Sequence, residues 1–117
     1  MKRQSVNILG NKWTIIFTTV DKEPRLKDAD GFCDRTVKKI VIDEMKREGS
    51  DFTIEDITSY KNKVIRHEIV HAFLFESGLG ECSYSPVAWA LNEEMIDWIA
   101  SMTPKMYEVW KQLGVEK

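Results

Sequence analysis

The stretch Lys63-Val-Ile-Arg-His-Glu-Ile-Val-His-Ala-Phe-Leu-Phe-Glu-Ser-Gly78 is the longest apolar-rich segment of the chain. It holds both histidines of the protein, His67 and His71, four residues apart. On an α-helix this spacing places two imidazoles on one face, one turn apart. Two imidazoles so placed can bind one Zn²⁺ from the same side, and Glu68 between them can take a proton from a water that the ion holds. The segment therefore predicts a helix that carries a zinc site.

This motif helix is predicted to run from Ile54 to Glu76. Thr53-Ile-Glu-Asp56 has the spacing of a capping box, and Gly78 supplies a stop after the last turn. Apolar side chains cover most of its circumference, so its second half is expected to be buried on nearly all sides. These side chains are Val64, Ile65, Ile69, Val70, Ala72, Phe73, Leu74 and Phe75.

The third metal ligand must come from elsewhere in the chain, because a catalytic zinc needs three protein ligands and one open position. No third histidine exists, so a carboxylate or a cysteine is required. The segment Asn92-Glu-Glu-Met-Ile-Asp97 offers three acids on a later predicted helix. Cys82 is less well placed than these free carboxylates.

Two adjacent glutamates compete for this position. Glu93 and Asp97 are four residues apart and share a helix face, so Glu93 can bind the metal while Asp97 accepts the free N–H of a ligand histidine. Glu94 lies about 100° around the helix and becomes the ligand if the helix is rotated. We rank Glu93 first because only Glu93 has a carboxylate four residues later on its face. For Asn92, a role at the site and a surface amide are equal alternatives.

The segments before the motif helix predict a small, mostly antiparallel sheet of about three strands. The predicted strands are Lys12–Val20, Ala29–Val37 and Lys39–Asp43, the last two joined by a turn at Asp34–Lys38, with Met1–Asn11 as a frayed or edge segment and Asp43–Asp51 as a charged connection.

The segments after the motif helix predict two further helices. Ser85-Pro86 and Thr103-Pro104 each place an N-cap residue before a proline at the first helical position. The first of these helices is expected to end near Met102 and the second at Gly114.

Length and composition are ordinary for one globular domain over residues 1–117, with 43% hydrophobic and 31% charged residues. The net charge of -2 argues against nucleic acid or an anionic membrane as the main partner. No apolar run follows Met1-Lys-Arg-Gln-Ser5, and no stretch is long enough to span a bilayer, so we expect a cytoplasmic protein. The two cysteines, Cys33 and Cys82, do not make a disulfide framework.

The pattern His67-Glu-x-x-His71 followed by Asn92-Glu-x-x-x-Asp97 resembles the Glu-ligated zinc peptidases, the gluzincins. The short spacing between its two halves is similar to the small phage- and prophage-encoded members. The resemblance covers about residues 12 to 102 and includes Asp30-Gly-Phe-Cys-Asp34. It implies a minimal zincin-like α+β fold, in which the sheet packs on the motif helix and two more helices follow.

The resemblance further implies a zinc metallopeptidase in which Glu68 is the general base and later the proton donor. It implies a strand beside the cleft, Lys39–Asp43 or its hairpin partner, that pairs with an extended peptide or protein substrate. An oxyanion would need a further donor, and Tyr84 is the nearest candidate in sequence.

Peptidases of the ImmA/IrrE type share this metal-binding logic and cleave repressors, so a phage repressor or another regulatory protein is a candidate substrate by analogy. The alternative interpretation is a zinc-containing, catalytically inactive binding module with the same fold. The two interpretations differ in whether Glu68 is required.

Overall fold

The computed structural model of the chain describes residues 1–46 and 54–117. A four-stranded mixed sheet and two helices give an α+β fold. The elements are β1 (Lys2–Ile8), β2 (Asn11–Thr18), β3 (Gly31–Asp34), β4 (Lys39–Asp43), α1 (Ile57–Glu76) and α2 (Glu93–Leu113), with short 3-10 turns at Pro24–Asp28 and Trp89–Leu91. Among the described residues, no helix is long and apolar enough to cross a membrane.

The strands lie in the order β1-β2-β4-β3. The outer pairs β1–β2 and β3–β4 are antiparallel, whereas the central pair β2–β4 is parallel. The expectation of about three strands is corrected, because Lys2–Ile8 forms a fourth. This segment is an edge strand whose residues are exposed except for Val6 and Ile8, and for that reason its sequence lacks the apolar alternation of a half-buried strand.

Strand β4 forms the middle of the core. Ile40, Val41 and Ile42 are buried on both faces of the sheet. Ile40 and Ile42 face α1 in a cluster with Trp13, whereas Val41 packs on the opposite face against Leu26 of the first 3-10 turn. A strand covered on both faces reads as a continuous apolar run, as this one does. Because β4 is paired along both edges, β3 and not β4 forms the edge of the sheet on its side.

Helix α1 begins later than the sequence predicts. Asp56 is its N-cap, and the Asp56 side chain accepts a hydrogen bond from the Ser59 backbone N–H at 3.0 Å. The predicted capping box is therefore wrong as to which residue is the cap; Thr53 itself lies outside the described residues. At the other end, Glu76 accepts a hydrogen bond from the Trp13 indole at 2.8 Å and fastens α1 to β2.

The expected burial of the second half of α1 on nearly all sides is also wrong. Only Glu68, Ala72 and Leu74 are buried in this helix, and Phe73 is exposed. The sheet covers one face of α1 and α2 covers a second, so the remaining side faces outward. Apolar residues therefore lie on all sides of this helix, but the protein does not enclose the helix on all sides.

The two expected C-terminal helices are one continuous helix, α2, which passes through Pro104. Ser85-Pro86 lies outside it, and Asn92 is its N-cap, accepting from the Met95 N–H at 2.8 Å. A proline inside a helix leaves the carbonyl four residues earlier without its N–H donor. Here that carbonyl belongs to Ala100, and it accepts a hydrogen bond from Arg66 Nε of α1 at 2.7 Å.

Replacing Arg66 by Met should lower the free energy of unfolding by about 1–3 kcal/mol, because the Ala100 carbonyl is then buried without a donor. In a Pro104→Ala background the new backbone N–H at position 104 can donate to the same carbonyl, so the same change should cost clearly less. Chemical denaturation of the four proteins gives the double-mutant cycle. Equal costs in both backgrounds would show that Arg66 acts by packing alone.

Candidate metal centre

The two motif histidines lie one turn apart on the side of α1 that faces α2 and β3. Their ring centroids are 5.0 Å apart, and both side chains are largely buried. The ring of His71 stacks on Phe75, with the two planes only 15° apart, which fixes its orientation. Both Nε2 atoms are directed toward the same carboxylate on the neighbouring helix.

That carboxylate belongs to Glu93, the first residue of α2. Its Oε2 lies 2.9 Å from His67 Nε2, and its Oε1 lies 3.1 Å from His71 Nε2. Asn92, the preceding residue, is the N-cap of α2, so Glu93 is the first residue of the first helical turn. Two imidazole nitrogens and a carboxylate thus converge on one small volume, and these are donor groups that divalent metal ions accept.

Asp97 lies one turn further along α2 and sits behind His67. Its Oδ1 is 3.4 Å from His67 Nδ1, and its Oδ2 accepts a hydrogen bond from Lys63 Nζ at 3.1 Å. The ammonium of Lys63 lowers the pKa of Asp97. With an ion on Nε2, a carboxylate beside Nδ1 would hold the proton of the ring on Nδ1. Lys63 was missed in the sequence, where its only signal was its place one turn before His67.

His67, Glu68, His71 and Glu93 form a cluster between α1 and α2. Glu68 is its buried acid, with 6% of its surface exposed. Its Oε2 has no hydrogen-bond partner among the described residues. Burial raises the pKa of Glu68 to about 7, with the charge of Glu93 adding to the rise and His67 opposing it. Burial also lowers the pKa of His71, against the opposing effect of Glu93. A neutral imidazole and a carboxylate that accepts a proton near neutral pH therefore stand side by side.

The cluster lies where two cavities meet, and both are lined by Gly31, His67 and Glu68. The first, of about 230 Å³, is completed by Val64 and by four polar residues, Asp30, Tyr60, Lys63 and Asp97. The second, of about 610 Å³, is completed by the apolar groups of Cys33, Phe75, Pro86 and Leu91, by His71 and Glu93, and by Phe32, whose ring packs with Val41 and Leu26 on the other face of the sheet. The two cavities together form a cleft, and strand β3, the hairpin partner of β4, borders it.

The remaining candidate residues lie elsewhere. Glu94 lines a separate cavity with Trp89 and Trp98, so the structure brings Glu93 and not Glu94 to the histidines. Asn92 acts as a helix cap. Tyr84 is 97% exposed and lines neither of the two cavities at the cluster, so the structure does not bring it to the site.

A metal ion fits these residues. One ligand atom from each of His67, Glu68 and His71 lies within 4.8 Å of the others, so this group could hold an ion. Two carboxylates are therefore available beside the imidazoles. Glu93 contacts both imidazole nitrogens directly from another helix, whereas Glu68 Oε2 is left without a partner.

No family model, no curated protein and no solved structure matches the chain. The resemblance to Glu-ligated zinc peptidases therefore depends on the two motif halves and on where the fold places them.

Zinc affinity should rank the three acids in the first two turns of α2, Glu93, Glu94 and Asp97. Glu93→Gln should weaken binding by more than about 100-fold, because loss of an outer partner alone costs roughly 10–100-fold. Asp97→Asn should fall within that outer-partner range, and Glu94→Gln should bind as the parent does. Competition with a chromophoric chelator measures all three. A large loss in Glu94→Gln, with Glu93→Gln unchanged, would reverse the assignment.

The metal-free protein should show the cost of burying Glu68. Its pKa of about 7 in the folded protein exceeds the ordinary 4.5, so the folded state binds this proton more tightly. Stability should therefore fall as the pH rises from about 4.5 to 7, by at most about 3 kcal/mol, and then level off. Glu68→Gln should lack this fall.

Thermal unfolding at pH 5 and pH 8 in the presence of a chelator measures the effect. Relative to the parent, Glu68→Gln should be clearly more stable at pH 8 and little changed at pH 5. The exposed Glu94→Gln serves as the matched control. Parallel pH profiles for the parent and Glu68→Gln would contradict the expectation.

Proposed function

We propose that the chain is a zinc-dependent metallopeptidase. The observation that carries the proposal is the convergence of two imidazole Nε2 atoms and the Glu93 carboxylate beside a buried, unpartnered carboxylate of Glu68. Three ligands with a general base next to them, at the junction of two open cavities, are what metal-assisted hydrolysis requires.

His67, His71 and Glu93 would hold the ion, the two histidines through Nε2. Glu93 is assigned as the third ligand because it contacts both imidazoles from across the cleft, which leaves Glu68 free for proton transfer. When bound, zinc would supply a Lewis acid that polarises the substrate carbonyl and lowers the pKa of water. Asp97 and Phe75 would keep the two imidazoles in position, since each contacts one ring.

Glu68 would move the proton. Its Oε2 would accept a proton from water while the water oxygen bonds to the peptide carbonyl carbon. It would then deliver this proton to the leaving nitrogen as the C–N bond breaks. Glu68 can serve both steps because it lines both cavities, and so stands beside the point where water and the cleaved bond would meet.

Strand β3 would align the substrate. It pairs with β4 on one edge, and within residues 1–46 and 54–117 no strand pairs with its other edge. An edge strand carries a row of free backbone N–H and C=O groups that an extended peptide can bind. Of the two strands expected at the cleft, β3 fits this role and the interior β4 does not.

The two cavities beside the cluster leave space for a substrate, because none of the described residues fills them. This space favours an enzyme over the alternative of an inactive binding module. A phage or mobile-element origin, a cytoplasmic location and a regulatory protein as substrate are proposed from the resemblance alone.

Glu68→Gln should lower kcat/KM on a peptide mixture by about 10²–10⁴-fold, the usual contribution of a general base. Zinc content should stay at the parental level, because the ligands are untouched. Elemental analysis and a fluorogenic peptide assay on the same samples separate the two effects, with Glu94→Gln as the control. If Glu68→Gln were as active as the parent, the peptidase proposal would be wrong.

A further inference from the structure

Resting on the proposed peptidase function, we propose that the enzyme selects substrates by a bulky apolar side chain immediately N-terminal to the cleaved bond, and takes a polar or small residue after it. The proposal comes from the unequal character of the two cavities. Because Glu68 lines both, the cleaved bond has to lie at their junction, and the side chains on either side of it point into different surroundings.

The larger cavity suits an apolar side chain. Beyond the cluster itself, none of its lining residues carries a charge under neutral conditions, and Phe75, Pro86 and Leu91 form its apolar walls. Cys33 also lines it, and burial raises the pKa of this thiol to about 12, so it stays uncharged. A space of about 610 Å³ is within the usual size of ligand pockets and accepts the largest aromatic side chains.

The smaller cavity suits a polar or small residue. Its polar groups are already paired, since Tyr60 donates a hydrogen bond to Asp30 and Lys63 donates one to Asp97. A large apolar side chain would remove water from two carboxylates and an ammonium without replacing it. Such desolvation of charged groups is unfavourable. With about 230 Å³ available, this side of the cleft also accepts less volume.

The direction of β3 gives the order of the two preferences. Along the chain, Asp30 lines the polar cavity, Gly31 lines both, and Phe32 and Cys33 line the apolar cavity. Antiparallel pairing is the commoner kind, and β3 already pairs in this way with β4. A peptide antiparallel to β3 passes over the apolar cavity with the residues before the cleaved bond.

The position of β3 at the junction is fixed by Gly31. A Cβ on this residue would come within 3.0 Å of the Val41 carbonyl and 3.2 Å of Val64 Cγ1 of α1. The strand therefore sits closely against both β4 and the motif helix. A peptide bound along β3 would be held in a set register relative to Glu68.

Cleavage of a proteome-derived peptide library by the zinc-loaded full chain tests this, with cleaved bonds located by mass spectrometry. The expected result is enrichment of Phe, Leu, Met or Tyr directly before the cut and none directly after it. Cleavage without that enrichment, or with apolar enrichment only after the cut, would overturn the selectivity while leaving the peptidase proposal intact. Absence of any cleavage by a zinc-loaded sample would overturn the peptidase proposal itself.

A substitution in the larger cavity tests whether its lining residues cause the preference for an apolar side chain before the cut. Leu91→Lys should lower kcat/KM for a peptide with Leu before the cut by at least about 10-fold relative to one with Glu there. Pro86→Lys, on the exposed rim of the same cavity, is the second variant in case Leu91→Lys does not fold. Val87→Lys lies outside this cavity and should keep the parental ratio. An unchanged ratio in every folded cavity variant would remove the assignment.

Discussion

The hydrogen bond from Arg66 to the Ala100 carbonyl fixes one point of contact between the two helices, beside the apolar packing of Leu74 and Ile96. It joins the residue before the first motif histidine to the one carbonyl of α2 that Pro104 leaves without a backbone donor. With this contact made, Asp97 lies beside His67 and Glu93 lies against both imidazoles. A slip of one helical turn would displace α2 by about 5.4 Å and carry Glu93 out of reach of the histidines. The position of the site residues thus depends on a partly buried contact that contains none of the candidate ligands.

The sheet contributes the other wall of the cleft in a similar indirect way. Full burial of Ile40, Val41 and Ile42 keeps β4 in the interior and leaves β3 as the edge strand beside α1. Apolar packing by itself is non-directional. In a pleated strand, however, alternate side chains face opposite sides of the sheet, so packing fixes the position of the strand. Residues that never contact a substrate therefore decide which strand could pair with one.

Features encoded by neighbouring residues could be predicted from the sequence. The motif helix, β2 and β4 follow from local periodicity, and the spacing of Glu93 and Asp97 placed both acids on the face that the structure turns toward His67. The unbroken α2 could not be predicted, because the donor that replaces the missing N–H lies 34 residues away in the chain. Strand β1 was missed because only Val6 and Ile8 of its seven residues are withdrawn from solvent. Metal binding by these ligands stays a prediction.

The charge balance of the site explains why an ion would be bound there. Three carboxylates, those of Glu68, Glu93 and Asp97, lie around two imidazoles, and Lys63 is the ammonium that contacts this set. Burial lowers the pKa of His71 and so favours its uncharged form. In the metal-free protein burial raises the pKa of Glu68 to about 7, with His67 opposing the rise and the charge of Glu93 adding to it. A divalent cation would favour the ionised carboxylates, since it adds two positive charges at the point where the nitrogens and the Glu93 carboxylate already converge. The burial that raises the pKa of Glu68 thus also places its carboxylate where it would lie close to a bound cation.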